Sequence, residues 1–185
     1  MIAGRRVSLR PVEEGDFEAI RDWQNDPDVW WWQDYESSFS LADVAESEER
    51  ARKEGHPFII EVEGRPIGRI GLNNFRRRDR ICSLYVFIGE SDFRGKGYGV
   101  DAMTTLLAYA FDRLDLHQVE VWCLASDERD IRVFEKVGFE REATLRDRSW
   151  KDGQWHDRVV MSVQSEAFVA AQVATQKEER DQHAP

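Results

Sequence analysis

The chain has 185 residues, of which 41% are hydrophobic and 34% charged, and its formal net charge is −10. This length suits one domain with a core of its own, and the composition is that of a globular protein rather than a disordered or fibrous one. No apolar run reaches the length of a membrane span, and no apolar segment follows Arg5-Arg6, so we expect a cytoplasmic protein without an export signal.

The cysteines and histidines argue against a disulfide or a metal site. Cys82 and Cys123 lie far apart within strand-like runs, the four histidines are scattered, and there is no Cys-x-x-Cys pair. We therefore expect two free thiols, both buried, and no bound metal.

The charges are unevenly distributed along the chain. Residues 12–64 contain sixteen acidic against four basic residues, whereas residues 65–96 contain eight basic against three acidic residues. A basic middle favours an anionic cofactor, and an acidic front half favours a cationic substrate. Nucleic acid is not an expected partner, because the run Arg76-Arg77-Arg78-Asp79-Arg80 falls between two strand-like runs and reads as a solvated hairpin turn.

The first elements of the chain are a strand and two helices. Residues 7–11 alternate like a strand, residues 17–25 have helical periodicity and end near Asp26-Pro27, and Ser40 opens a helix that reaches about Lys53. Three consecutive tryptophans separate the helices, and they cannot all face one core. Tryptophan rings beside carboxylates can bind a cation, which predicts substrate-binding residues at Trp31, Trp32, Asp34 and Glu36. Rings that only cap the core are the alternative.

The remaining elements alternate between strands and helices. Strands at 58–62, 67–72 and 81–88 form an antiparallel meander, and a helix, a strand at 119–124 and a second helix ending at Gly138 follow. Residues 144–150 and 158–163 are the last predicted strands. We predict one domain over residues 1–164, followed over residues 165–185 by a C-terminal helix and a mobile charged tail.

The glycine loop Arg94-Gly95-Lys96-Gly97-Tyr98-Gly99 stands between a strand and a helix. Glycines let the backbone approach a ligand, and the first N–H groups of the helix together with its dipole favour an anion, so the loop predicts a phosphate cradle. Two well-known phosphate loops are excluded by spacing. A Walker loop needs Lys-Ser/Thr after its last glycine, and a dinucleotide fingerprint needs Gly-x-Gly-x-x-Gly.

Two motifs carry a resemblance to a known family. The spacing of Arg94, Gly97 and Gly99 resembles the Arg/Gln-x-x-Gly-x-Gly/Ala pyrophosphate loop of the GNAT acetyl-CoA-dependent N-acetyltransferases, and residues 126–139 resemble their Asn-x-x-Ala-x-x-x-Tyr-x-x-x-Gly-Phe segment. The segments 7–29 and 152–157 resemble the branch that acetylates ribosomal-protein N-termini and spermidine, whereas Trp31-Trp32 and residues 57–59 resemble aminoglycoside 6′-acetyltransferases.

The resemblance implies an α/β (α+β) fold with a mixed, mostly antiparallel sheet that splays between its fourth and fifth strands and is flanked by helices. It also implies acetyl-CoA as co-substrate and direct transfer of acetyl to a primary amine, which leaves a polyamine, an aminoglycoside-like amine and a protein N-terminus as open alternatives. We expect no membrane partner and consider a homo-oligomer. The residues that would bind the cofactor by this resemblance are Phe87, Ile88, Gly89, Arg94, Gly95, Lys96, Gly97, Tyr98, Gly99, Asp127 and Phe134.

Two departures from the family fall at motif positions that bear on the cofactor and the chemistry. Asp127 stands where the family commonly has Asn, and Phe134 stands where it has the Tyr taken to protonate the departing thiolate. Weak candidates for a catalytic group are Glu61, Glu90 and Ser149, the last of which stands where ribosomal-protein N-terminal acetyltransferases carry a Glu base. A non-catalytic acyl-CoA-binding or regulatory module is therefore the alternative to an enzyme.

Overall fold

The computed structural model describes residues 1–33, 35 and 37–172. The strands are β1 (Ile2–Ala3), β2 (Ser8–Pro11), β3 (His56–Val62), β4 (Arg65–Arg76), β5 (Ile81–Ile88), β6 (Gln118–Leu124), β7 (Glu140–Lys151) and β8 (Gln154–Gln164). The α-helices with fully described bounds are α1 (Phe17–Asn25), α2 (Pro27–Trp30), α3 (Leu41–Glu54), α4 (Tyr98–Asp112) and α5 (Glu128–Val137), and residues 165–172 are also helical.

One mixed sheet contains the eight strands in the order β1-β2-β3-β4-β5-β6-β8-β7. Its neighbours are antiparallel except for β5 and β6, which are parallel and are joined through α4. This arrangement confirms the predicted fold class. The short strand β1 was not predicted, and it raises the number of every later strand by one. The splay expected between the fourth and fifth strands therefore lies between β5 and β6.

The splay begins where the pairing of β5 with β6 ends. The pairing covers Ile81–Ser83 of β5 and Gln118–Glu120 of β6. Further along, β5 continues to Ile88 and β6 to Leu124, with no registered partners between them in this part of the structure. The two strand ends therefore form the walls of a wedge-shaped opening in the sheet.

Helices cover both faces of the sheet. On one face α4 and α5 pack over the main core, in which Ile60, Leu84 and Leu106 are buried. On the other face α1 contributes Ile20 and Trp23 to a smaller cluster with Ile59 and Phe87. Adjacent strand residues such as Ile59 and Ile60 face opposite sides, so one strand supplies both cores.

The helix boundaries follow the signals in the sequence. Ser40 accepts a hydrogen bond from the Asp43 N–H and caps α3, and Asp127 accepts one from the Asp130 N–H and caps α5. Gly138 ends α5 with a φ of 105°, in the left-handed region that glycine adopts readily. The start of α3 at Ser40 and the end of α5 at Gly138 were predicted and are confirmed.

A buried ion pair joins α3 to β4. The guanidinium of Arg69 lies 2.6 Å from the Glu48 carboxylate, and both side chains are almost fully buried. Burial raises the pKa of Glu48 while the Arg69 charge opposes this rise. Arg69 also donates a hydrogen bond to the Tyr85 hydroxyl at 3.3 Å. Part of the basic middle of the sequence therefore serves the fold rather than an anionic cofactor.

The C-terminal strands are longer than predicted, because the hairpin of β7 and β8 extends beyond the expected ranges 144–150 and 158–163. After β8, Phe168 is buried and its ring centroid lies 5.4 Å from that of Phe111 in α4. The predicted mobile tail falls largely on residues 173–185, which lie outside the described residues, and the division at residue 164 stays a prediction. In the described part, no helix is both long and apolar enough to span a membrane.

Candidate active site in the splayed sheet

A cavity of about 700 Å³ opens at the wide end of the wedge. The end of β5 and the loop before α4 form one wall, and α5 forms the other. Its lining brings together eight of the eleven residues that the family resemblance assigned to the cofactor, namely Phe87, Ile88, Arg94, Gly95, Gly97, Gly99, Asp127 and Phe134.

The glycine loop presents backbone atoms to this cavity. Gly95 and Gly97 have φ values of 73° and 85°, and Gly97 is the N-cap of α4. The N–H groups of the first turn have no carbonyl partner within the helix. A Cβ placed on Gly99 would meet nothing within 4 Å, so the space before that turn is open. The loop therefore has the geometry of an anion cradle and fits the pyrophosphate of CoA.

Arg94 is bound within the protein. Its side chain donates hydrogen bonds to the backbone oxygens of Ile88 at 3.0 Å and Gly89 at 2.8 Å, and to the carboxylate of Asp26 at 2.8 Å. A further hydrogen bond reaches Asp28 at 3.2 Å. The hydrogen bond from Arg94 holds the pKa of Asp26 below its usual value. Arg94 thus fastens the loop to the end of β5 and to the start of α2.

Arg6 is a cation beside the glycine loop, and the sequence motifs did not assign it to the site. Its Nη1 donates to the Lys96 carbonyl at 2.7 Å, and its guanidinium lies 4.3 Å from the Tyr98 ring centroid. Asp101 of α4 accepts the backbone N–H of Arg6 at 2.7 Å, which anchors the turn before β2 to the helix. Since this contact joins residues about 95 positions apart, no local pattern could have indicated it.

A second cavity of about 330 Å³ lies deeper in the wedge, where β5 and β6 separate. Side chains of β4, β5, β6 and β8 line it, and several are polar, including Asn73, Ser83, Tyr85 and Arg158. The Oδ1 atom of Asn73 is buried and accepts no hydrogen bond within the described residues. A buried acceptor of this kind is satisfied when a ligand supplies a donor.

The two cavities meet at α5. Six residues line both of them, namely Trp32, Gln33, Val86, Asp127, Asp130 and Phe134. Phe134 is buried, and its ring packs edge-on against Phe139. Burial, followed by the charge of Asp127, raises the pKa of Asp130 to about 6. The junction therefore combines an aromatic wall with two carboxylates.

Three residues assigned to the cofactor do not line the larger cavity. Lys96 and Tyr98 are not among its lining residues, and Gly89 packs under the Trp23 ring, whose nearest atom would lie 2.2 Å from an added Cβ. Gly89 is therefore needed for packing of α1 against the end of β5.

The three weak catalytic candidates line neither cavity. Glu61 forms an ion pair with Arg10 at 2.7 Å. Glu90 accepts a hydrogen bond from the Trp23 indole at 2.9 Å and pairs with Arg65. Ser149 is buried and accepts a hydrogen bond from Arg158 at 2.6 Å. Each polar group is engaged in the fold, which gives these candidates no geometric support.

The three tryptophans at the end of α2 and just after it have separate positions. Trp30 and Trp32 are 38% and 45% exposed, and Trp32 lines both cavities. Trp31 instead contacts the tip of the β7–β8 hairpin, where its indole donates to Asp152 at 2.8 Å. The other two predicted substrate-binding residues, Asp34 and Glu36, lie outside the described residues.

A sheet that splays beside an anion cradle, with a second cavity behind the junction, is the arrangement expected of an acyltransferase that uses an acyl-CoA. Comparison with known families agrees with this class. Residues 6–140 match the family described as an acetyltransferase (GNAT) domain. Because the match covers more than half of the chain, the protein belongs to the GNAT family, as its motifs predicted, and it is an N-acetyltransferase.

Relatives with named activities are similar over most of the chain. Spermidine N(1)-acetyltransferase of Escherichia coli (strain K12) is 24% identical over 173 residues, which cover 92% of each chain. Aminoglycoside N(6′)-acetyltransferase type 1 of Klebsiella pneumoniae is 27% identical over 75% of this chain and 76% of its own length. The crystal structure of spermidine N-acetyltransferase from Vibrio cholerae, in complex with CoA and spermine, superimposes with a TM-score of 0.83 at 20% identity, over 89% of this chain and 98% of that chain.

Proposed function

We propose that the protein acetylates a primary amine on a small, flexible polycation and that this amine enters through the smaller cavity. The observation that carries the proposal is the unpartnered Asn73 oxygen in that cavity together with the two carboxylates at its inner end. A charged aliphatic amine satisfies both features, because it donates hydrogen bonds and carries positive charge. The spermidine and aminoglycoside acetyltransferases among the relatives also act on amines of this kind.

The charge of the front half supports a cationic acceptor. Residues 12–64 have a net charge of −12, and Asp28 of α2 lies on the lining of the larger cavity. A surface of one sign raises the local concentration of ligands of the other sign and their rate of association. The predicted absence of nucleic-acid and membrane partners, the cytoplasmic location and a homo-oligomer stay predictions.

Acetyl-CoA fits the larger cavity as the co-substrate. Its pyrophosphate would accept hydrogen bonds from the N–H groups of Gly97, Tyr98 and Gly99, and Arg129 and Lys136 of α5 add positive charge on the opposite wall. The thioester would then extend along the end of β5 toward the junction. Alternate N–H groups of a strand point to opposite sides, so some of those in residues 84–88 face the gap left by β6.

The reaction that this arrangement supports is direct transfer. The neutral amine attacks the acetyl carbon, and a strand N–H that faces the gap stabilises the negative charge that develops on the acetyl oxygen. The two cavities hold the reactants on opposite sides of one junction, which replaces an encounter in solution by a fixed approach.

Thiol release from acetyl-CoA tests this function. Purified protein is mixed with acetyl-CoA and, in separate wells, with linear polyamines, aminoglycosides and short peptides with a free N-terminus. We expect turnover with polyamines or aminoglycosides and little with the peptides. Turnover with peptides alone would contradict the small-polycation proposal, and tight CoA binding without turnover on any amine would favour a non-catalytic module.

A further inference from the structure

We propose that Asp130 is the catalytic acid–base group of this acetyltransferase, receiving the proton from the acceptor amine and passing it to the thiolate of CoA. This inference rests on the proposed function and deepens it. It assigns the chemistry to a residue that is not among the catalytic candidates Glu61, Glu90 and Ser149 predicted from the sequence.

The position of Asp130 is the first argument. Among the described residues, Asp127 and Asp130 are the carboxylates that line both cavities. Asp130 lies four residues before Phe134 in α5, so the two side chains are neighbours on one helix face. A group at this junction is within reach of the amine on one side and of the thioester on the other.

The two carboxylates have different roles. Asp127 is the N-cap of α5, and its side chain accepts the Asp130 N–H at 3.0 Å. Loss of this hydrogen bond would destabilise the helix, so the Asp127 side chain is held in place. The Asp130 carboxyl does not cap the helix but shares a hydrogen bond with the Asp127 side chain, and this bond helps to raise the pKa of Asp130.

The family motif gives an independent argument. The segment that residues 126–139 resemble has Ala at the position of Asp130 and Tyr at the position of Phe134. This chain therefore lacks the hydroxyl of the usual acid and carries a carboxyl one helical turn earlier on the same face. The carboxyl of Asp130 supplies the proton-transferring group that Phe134 lacks.

The surroundings of Asp130 tune its ionisation toward neutral pH. Burial raises the pKa of Asp130 to about 6, the Asp127 charge adds to this rise and Arg129 opposes it. The nearby thiol of Cys123 has a pKa raised to about 12 by burial and by both aspartates, and it therefore stays neutral. Arg158 of β8 lines the smaller cavity together with the two aspartates and is a cation there. A carboxyl with a pKa near the working pH can both accept and donate a proton.

The proton transfer balances within the reaction. The amine nitrogen forms a bond to the acetyl carbon, and the bond from that carbon to sulfur breaks. The proton lost by nitrogen moves to the Asp130 carboxylate and then to the thiolate, which leaves CoA as a thiol and Asp130 ionised as at the start.

The test is the pH dependence of Asp130→Asn with the best acceptor from the panel. We expect kcat/KM to fall about 100-fold and the inflection near pH 6 to disappear, while the affinity for CoA in calorimetry stays within about threefold. Glu128→Gln is the matched control. Glu128 lies in the first turn of the same helix and pairs with Arg132 on the exposed side, so its variant should keep the wild-type profile.

A double variant distinguishes a role of Asp130 in proton transfer from a purely structural role. Adding Phe134→Tyr to Asp130→Asn restores a hydroxyl at the junction, and we expect it to recover at least tenfold of the lost kcat. Wild-type rate and pH profile in Asp130→Asn would overturn the assignment, and so would a loss that tracks weaker CoA binding. A wild-type protein that turns over no amine would overturn the proposed function itself, which is a distinct outcome.

Discussion

The two cavities of the wedge are built from different parts of the chain. The wall of the larger cavity that faces the phosphates comes from one continuous loop, in which backbone N–H groups and glycine conformations provide the binding surface. The smaller cavity comes from four strands, α5 and the two residues Trp32 and Gln33 that follow α2. Recognition of the CoA phosphates is therefore local in sequence and depends on the backbone. Recognition of the acceptor instead depends on individual side chains from distant segments of the chain.

Breaking the backbone cradle should have the largest effect. Gly97→Val places a branched side chain at a φ of 85° and fills the loop, where an added Cβ already lies 3.4 Å from Arg6. We expect CoA affinity to fall by more than about 100-fold, or about 2.7 kcal/mol, in isothermal titration calorimetry. Gly64→Val is the control, because Gly64 has a similar φ of 79° in the β3–β4 turn, away from the cavities. Equal losses in both variants would show that backbone strain, rather than the cradle, is being measured.

Removing the Arg94 side chain should have a smaller effect on the same cavity. Arg94→Ala deletes the contacts to Ile88, Gly89, Asp26 and Asp28 but keeps the N–H groups of the loop. We expect CoA affinity to fall about tenfold, or about 1.4 kcal/mol, with a lower melting temperature. Arg94→Lys should recover only part of this loss, because one ammonium cannot make all the guanidinium contacts. An affinity loss as large as that of Gly97→Val would contradict a cradle built from backbone.

The third prediction concerns Asp130, whose partly buried carboxyl should make the free energy of unfolding depend on pH. The pKa of Asp130 in the folded protein, about 6, is above its ordinary value of 3.8, so the fold loses stability as the pH rises from the ordinary value to the folded value and carries the full penalty above it. Asp130→Asn should therefore gain stability relative to wild type as the pH rises from 4 to 6, and keep the gain above that. We expect a gain of about 1–2 kcal/mol in urea unfolding at pH 7.5 and little difference at pH 4. A gain that is the same at both values would contradict the buried ionisation.

The smallest expected change is at the aromatic part of the junction. Phe134→Tyr adds a hydroxyl near the position expected for the CoA sulfur without moving the ring. We expect kcat to rise by less than about tenfold, or about 1.4 kcal/mol, if departure of the thiolate limits the rate. Thiol release under saturating acetyl-CoA measures this. A fall in kcat with unchanged CoA affinity would show that the added hydroxyl disturbs the group that already protonates the thiolate.

The parts of the site that the sequence predicts are those formed by adjacent residues, and the parts that it does not predict are those formed by distant segments. The glycine loop, the helix caps at Ser40 and Asp127 and the end of α5 at Gly138 could be read from short sequence patterns, because each depends on the conformation of adjacent residues. Asp130 is also a departure from the family segment, but its position between the two cavities depends on how α5 packs beside the strand ends. Arg6 beside the loop, the engagement of Arg94 by Asp26 and the lining of the smaller cavity depend on contacts between distant segments, which a single sequence does not encode locally.

The central claim is that the two cavities hold their ligands at one shared junction. A bisubstrate compound, in which the CoA sulfur is joined through an acetyl linker to the terminal amine of the best acceptor, tests it most directly by calorimetry. If the cavities meet at α5, the compound should bind at least about 100-fold more tightly than CoA, because one molecule occupies both sites. Asp130→Ala and Trp32→Ala, which alter the junction, should reduce that advantage but leave the affinity for CoA alone nearly unchanged. Binding of the compound no tighter than CoA would contradict the account.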